Sequence, residues 1–161
     1  MMAALPNNPD LRTLTRSVTK EAKHKVSILV FEDDPIFRQL LERLLDKGVV
    51  DVASYESIGE FGSFSQIGRF DLVIVDCELP VMRGVEIASY IETFFPHVEV
   101  MLISAHENLD DQLKALHQEP PSCLRGFIAK SKGIDFIVKN IMKHVHRLNA
   151  KLEQSLFLEG V

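Results

Sequence analysis

Four apolar runs in this sequence of 161 residues end in side chains that can do chemistry. Val26–Phe31 runs into Glu32-Asp33-Asp34, Asp71–Val75 into Asp76-Cys77-Glu78, Val98–Ile103 into Ser104, and Gly126–Ala129 into Lys130. Carboxylates gathered at one place repel each other unless a cation neutralises them. Oxygen ligands with no accompanying cysteine or histidine cluster favour Mg2+ or Mn2+ over Zn2+. A lysine and a hydroxyl beside such a site suit a tetrahedral anion, with Lys130 as a point charge and Ser104 as a donor. The chemistry assembled is phosphoryl transfer, in which positioning and charge neutralisation do most of the work. Asp76, at the end of the clearest apolar run, is the natural covalent acceptor. Taken singly, each piece has a plainer reading: Asp34 before Pro35 is a helix cap, Ser104 a turn residue and Lys130 a solvated base. The combination carries the argument.

The elements that must position these groups alternate in type. Val26–Phe31 is short, apolar and β-branched, as a strand buried on both faces should be. Ile36, Phe37, Leu40, Leu41, Leu44 and Leu45 recur at helical spacing and read as one helix face. Residues 49–53 predict a second strand, 58–67 a short weak helix, and 71–75 the third strand. Val85, Ile87, Ala88 and Ile91 form a helix face stopped before Pro96. Residues 98–103 predict a fourth strand, 108–117 a fourth helix and 126–129 a fifth strand. Ile134, Ile137, Ile141, Val145, Leu148 and Leu152 mark a long final helix. Parallel neighbours need crossover helices, so this alternation predicts an α/β fold: a doubly wound (βα)5 parallel sheet with helices on both faces. Ligands in such folds bind outside the carboxyl ends of the strands, where the four chemical groups stand.

Composition excludes several function classes. The formal net charge is −5, and residues 25–161 alone carry 14 basic and 21 acidic residues. That balance argues against nucleic acid as the main ligand. No stretch is apolar for long enough to span a bilayer, and the first residues lack a signal-peptide pattern, so a cytoplasmic location is expected. Cys77 and Cys123 are too few for a disulfide framework. Cys77 reads as a small core residue, with a redox role as the lesser alternative. Residues 1–24 are mildly basic and read as a partly ordered arm, with a short helix after Asn8-Pro9-Asp10. His144 and His146 stand two apart on the final helix and do not form a metal pair.

Together, Ile28–Pro35, Asp71–Gly84, Val100–Ala105 and Gly126–Lys130 resemble the receiver domain of two-component response regulators. The resemblance covers roughly residues 25–148. It implies the flavodoxin-like strand order 2-1-3-4-5, and it implies roles. Asp76 would accept a phosphoryl group from a phosphohistidine on a histidine kinase or histidine phosphotransfer protein. Glu32, Asp33, the Asp76 carboxylate and the backbone carbonyl of Glu78 would hold Mg2+. Lys130 and Ser104 would bind phosphoryl oxygens. Ser104 and Phe127 would form the switch that alters the face made by the fourth helix, fifth strand and last helix, where a downstream protein binds. Glu78 and His106, two residues after Asp76 and Ser104, would tune hydrolysis of the acyl phosphate by flanking the water's approach.

The sequence departs from the family pattern at several points. Glu32 stands for the commoner aspartate, which alters reach by a methylene. Ser131 stands where many receivers have proline, predicting a looser loop, and Phe127 lacks a tyrosine hydroxyl. The stretch from Asn108 to Arg125 is longer than usual. Two alternatives remain: a degenerate receiver that never takes phosphate and acts as an interaction module, and a haloacid-dehalogenase-like phosphatase. The second expects its nucleophile in the first strand, whereas Asp76 lies in the third. The receiver reading implies no enzymatic activity beyond the protein's own phosphorylation and slow dephosphorylation. The residues after the fifth strand are absorbed by the final helix, so the expected output is binding, either by a downstream target or by a second copy through Leu148, Leu152 and Leu156 in residues 149–161 and the turn before them.

Overall fold

The computed structural model describes residues 24–106, 108–115 and 119–159. The expected N-terminal arm lies almost wholly outside them. Five strands, β1 (Val26–Phe31), β2 (Val50–Tyr55), β3 (Leu72–Asp76), β4 (Glu99–Ser104) and β5 (Leu124–Ala129), form a parallel sheet in the order β2-β1-β3-β4-β5. The helices are α1 (Pro35–Leu44), the single turn α2 (Ile58–Phe61), α3 (Gly84–Phe94), α4 (Leu109–Ala115) and α5 (Ile134–Glu159). The expected class, topology and strand order are all present.

Strand parity sorts the core into two layers, because successive side chains in a strand point to opposite faces. Leu29, Phe31, Val73, Val75, Val100 and Leu102 face one way and pack with Ile67, Val85, Ala88, Ile91 and Leu113. Val26, Ile28, Val30, Leu72, Ile74, Met101 and Ile103 face the other way, against Leu41 and Leu45 at α1 and Ile137, Ile141 and Val145 of α5. So α1 and α5 cover one face and α2 to α4 the other. Both faces of β3 are fully buried, which is why its sequence is an unbroken apolar run rather than an alternation.

Helix starts follow local chemistry. Asp34 Oδ1 accepts the N–H groups of Ile36 (2.9 Å) and Phe37 (3.2 Å), and Pro35 occupies the first helical position. The weak helix expected over 58–67 is instead two pieces, α2 and a 3-10 turn over Phe64–Arg69. Gly62 separates them with φ of 79°, a left-handed value that ends the first piece. β5 begins at Leu124, earlier than the apolar run suggested, because a bulge between Val100 and Met101 of β4 accommodates Arg125. The Arg125 side chain then pairs with Glu99 at 3.1 Å.

The six apolar residues of α1 do not share one buried face. Leu41 and Leu45 are buried and Phe37 packs partly, whereas Ile36 is 71% exposed and Leu40 and Leu44 are exposed by more than a third. Six residues span a wider arc than the sheet can cover, so a second apolar stripe is left outward. The stripe on α5 also runs off the body: Leu148 is buried, Leu152 half-buried and Leu156 exposed.

Gly84 sits where α3 leaves the loop after β3. A Cβ there would lie 2.9 Å from both the Asp76 carbonyl oxygen and Cys77 Cα, which are backbone atoms with little freedom to move aside. Gly84→Ala is therefore expected to destabilise the fold by about 1–3 kcal/mol, read by urea denaturation. An unchanged midpoint would show that the strand end relaxes freely.

Candidate functional site

Strand register brings the chemical residues together. Phe31 pairs with Val75, so Glu32 and Asp76, one residue further on each strand, are neighbours at the sheet edge. Asp76 pairs with Ile103, placing Ser104 one step beyond it, and Ser104 pairs with Ala129, the residue before Lys130. The edge between β1 and β3 is where the strand order reverses, the usual ligand crevice of this architecture.

Lys130 Nζ lies 2.9 Å from Glu32 Oε2 and 2.9 Å from Asp76 Oδ2. Both carboxylates are buried, Glu32 completely. The ammonium also lies 4.8 Å from the centre of the Phe37 ring, within cation–π reach. Asp34 N–H donates to Glu32 Oε1 at 3.0 Å, and the Arg38 guanidinium donates to the Glu32 carbonyl at 2.7 Å. Glu32 Oε2 faces Lys130 but accepts no aligned hydrogen bond.

These surroundings separate the carboxylates electrostatically. Burial dominates at Glu32 and pushes its carboxyl up to about 7, despite the Asp34 N–H and Lys130. Burial also opposes ionisation of Asp76, but hydrogen bonds from Glu78 and Lys130 outweigh it and hold Asp76 below the usual aspartate range. Burial, then the neighbouring Asp76, raises Glu78. Lys130 is raised, because its bonds to Asp76 and Glu32 outweigh its burial. The ionised pair at the centre of the site is thus Asp76 with Lys130.

Ligand oxygens of Glu32, Asp33 and Asp76 all lie within 4.8 Å of one another. The set is carboxylate only, and among the described residues Lys130 is the cation paired with it. A hard divalent cation fits such a donor set. Cys77 does not join it: burial, with Glu78 and Asp76 nearby, pushes its thiol up to about 12. That is the environment of an inert core cysteine and leaves no low-lying thiolate for redox chemistry.

On the far side of Asp76, the Glu78 N–H donates to Asp76 Oδ1 at 3.0 Å. The Glu78 side chain reaches to the end of β4, where Oε1 accepts the Ser104 hydroxyl and Oε2 accepts the Ala105 N–H at 3.1 Å. Ser104 is fully buried and its Oγ accepts the His106 N–H at 3.0 Å. His106 is exposed, and among the described residues no hydrogen bond or ion pair joins its ring to Glu78. Phe127 is half-buried and packs on the same core layer as Val100 and Leu102. The loop carrying Ser131 is a 3-10 turn over Lys130–Lys132, closed by Gly133 N–H to the Lys130 carbonyl at 3.1 Å, with Gly133 at φ of 89°.

The structure brings the expected Glu32, Asp33, Asp76, Ser104 and Lys130 to one edge, with Glu78 beside them. Sequence reasoning misses Phe37 and Arg38, which reach the site from the first turns of α1. Their position just after the acidic triplet is the available signal, and the helical spacing of Phe37 with Leu41 hides it among core residues. Sequence reasoning also assigns Glu78 by its backbone and by water access, and misses its side-chain contacts.

Comparison with known proteins agrees with this geometry. Residues 28–143 match the response regulator receiver domain family. The response regulator protein PilR of Pseudomonas aeruginosa is 32% identical over 88 residues, covering 55% of this chain and 20% of PilR. Regulator of RpoS from Escherichia coli is 33% identical over 92 residues, covering 55% of this chain and 26% of that protein. The chain thus spans well under half the length of these curated relatives. Among solved structures, the signal receiver domain of the response regulator NarL from Mycobacterium tuberculosis superposes with a TM-score of 0.60 at 28% identity, covering 76% of this chain and 98% of that one. With the family match across most of its length and the acidic edge of its sheet built as described, the chain belongs to the response regulator receiver domain family.

Proposed function

We propose that this chain is the phosphoacceptor of a two-component or phosphorelay pathway, taking a phosphoryl group on Asp76 from a phosphohistidine of a histidine kinase or phosphotransfer protein. The observation that carries this reading is the ionised Asp76 held at the sheet edge by Lys130 at 2.9 Å, with Glu32 and Asp33 alongside. In the transfer, an Asp76 oxygen attacks phosphorus and the bond from phosphorus to the donor imidazole nitrogen breaks. That nitrogen keeps the electron pair, and a proton carried on the other ring nitrogen lets the imidazole leave neutral. Lys130 offsets charge on the phosphoryl oxygens, and the buried setting magnifies its effect.

Glu32, Asp33 and Asp76, with the Glu78 carbonyl, would hold Mg2+ or Mn2+, and the cation would supply charge neutralisation to the transferring group. The protein is not an enzyme for other substrates in this reading. Its output is a change in the face built by α4, β5 and α5, relayed by Ser104 and Phe127 and read by a downstream protein. Among the described residues no helix is long and apolar enough to cross a membrane, which suits the cytoplasmic location proposed here.

Incubation with acetyl phosphate and Mg2+ is expected to add one phosphoryl group, seen by intact mass, and Asp76→Asn is expected to abolish it. Failure of the parent protein to gain mass would favour the inert interaction module.

Ile36 (71% exposed) and Phe136 (45% exposed) stand in the first turns of α1 and α5, the two helices that follow the acidic and lysine turns of the site. An apolar surface at the mouth suits a protein donor and is irrelevant to a small one. Ile36→Glu is therefore expected to slow transfer from a phosphohistidine protein about tenfold while leaving acetyl phosphate transfer unchanged. Equal slowing with both donors would place the defect in the site itself.

Glu32 also sets a pH dependence for the cation. Its carboxyl titrates at about 7 in the fold against 4.5 ordinarily, so the folded state binds this proton more tightly. Stability from that term is complete below the unfolded value and lost as pH rises through the folded one. His144 runs the other way, because burial lowers it despite its contact with Glu99 at 2.6 Å. The bare melting temperature therefore mixes the two. The increment produced by Mg2+ isolates the carboxylates, because the cation competes with the Glu32 proton. That increment is expected to be larger at about pH 8 than at about pH 5.5, read by scanning calorimetry. Equal increments would place Glu32 outside the cation site.

A further inference from the structure

We infer that the Glu78 carboxylate is an internal ligand of the phosphoryl-oxygen subsite, occupying the Ser104 hydroxyl and the Ala105 N–H in the unphosphorylated protein, and that it must leave before Asp76 can be fully loaded. This rests on the phosphoacceptor reading of Asp76.

The geometry is specific. The Glu78 N–H is tied to Asp76 Oδ1 at 3.0 Å, so its backbone is fixed beside the acceptor. Its two side-chain oxygens take one donor each from adjacent residues at the end of β4. An anion is thus held by a hydroxyl and an amide within reach of the acceptor. With Lys130 and the Glu78 N–H, these two donors stand at the edge of the sheet that carries Asp76.

Donor counting makes the two occupants mutually exclusive. A serine hydroxyl has one proton to give, and Ser104 gives it to Glu78. Its oxygen also accepts the His106 N–H, and no second proton remains to donate. The Ala105 N–H has a single proton, directed at Glu78 Oε2 at 3.1 Å. A phosphoryl oxygen gains either donor only when Glu78 releases it. A carboxylate and a doubly charged phosphoryl group also repel each other across so short a gap.

The exit is open. Ser104 is fully buried, but Glu78 is only half-buried, so its side chain can swing to water while Ser104 stays in place. The contact also gives Glu78 a different role from shielding with His106. Before loading, it holds the Ser104 hydroxyl and competes with the phosphoryl group for it.

The test compares the full chain with Glu78→Ala and Glu78→Asp. In each, acetyl phosphate and Mg2+ are supplied; an Asp76 oxygen attacks phosphorus, the bond to the acetate oxygen breaks, and acetate leaves with the electron pair. Aspartate keeps the charge but is one methylene too short to reach both donors. Occupancy therefore predicts that both variants load about tenfold faster, equivalent to about 1.4 kcal/mol, and that the Ala105 amide resonance of 15N-alanine-labelled protein moves in both without phosphate. Faster loading in Glu78→Ala alone, with Glu78→Asp like the parent, would reduce the effect to charge repulsion and overturn the inference. So would an unmoved Ala105 resonance in both variants. If neither parent nor variants accept phosphate or bind beryllofluoride, the phosphoacceptor reading fails, and the Ala105 resonance still decides whether Glu78 holds the subsite.

Discussion

The structure is organised around one ammonium group and the carboxylates that surround it. Lys130 lies 2.9 Å from both Glu32 and Asp76, which come from the first and third strands, while Lys130 itself follows the fifth. Removing the lysine would leave the buried Asp76 carboxylate without its cation, and such groups cost several kcal/mol when orphaned. The contact therefore pins three separate strand ends to one another. It also remains incomplete, since one cation faces several acids, and Glu32 relieves the excess by holding its proton up to about 7. A site left in this condition is receptive to a further cation and, through that cation, to an anion.

Register explains why residues so distant in sequence meet. Each functional residue stands at or just beyond a strand end, and the pairing of Phe31 with Val75, Asp76 with Ile103 and Ser104 with Ala129 puts those ends on one line. A slip of one residue would move the core side chains of that strand to the wrong face, so core burial enforces the register that the site needs. The bulge at Arg125 lies near the opposite end of β5, where Glu99 also holds His144 at 2.6 Å. The irregularity is thus kept away from the edge where alignment matters.

Much of this was legible in the amino-acid sequence because burial on both faces leaves an unmistakable mark. Val26–Phe31 and Asp71–Val75 read as interior strands, and the residues after them follow from topology. Legibility failed where a residue had two possible uses. Phe37 has helical spacing with Leu41, yet its ring also lies beneath Lys130. Ile36, Leu40 and Leu44 are as apolar as Leu41, but only the position of the sheet decides which stripe is covered. Gly62 splitting the weak helix is a matter of one backbone angle, invisible to periodicity. The Glu78 contacts lay beyond reach for a different reason: a flexible side chain chooses among donors that only the folded edge brings near.

That choice bears on how signal and structure are coupled. Ser104 lies beside Ala129 in the β4–β5 ladder, and Phe127 is two residues earlier on the same strand, so its ring shares a face with Ala129. A change in what Ser104 binds is felt at a strand whose next inward side chain on that face is the half-buried Phe127. On the proposed occupancy, Glu78 already satisfies Ser104 before loading, so the hydroxyl would gain no partner when a phosphoryl oxygen arrives; it would exchange one anion for another. The energetic difference between the two states then comes from what the exchange does elsewhere: Lys130 divides its charge between a carboxylate and a new group, and Glu78 is released into water. A ligand shifts an equilibrium only by its differential affinity for the two states. In this protein that difference is expected to be narrowed by an internal competitor, which makes the loaded state more dependent on the cation and Lys130 than on Ser104.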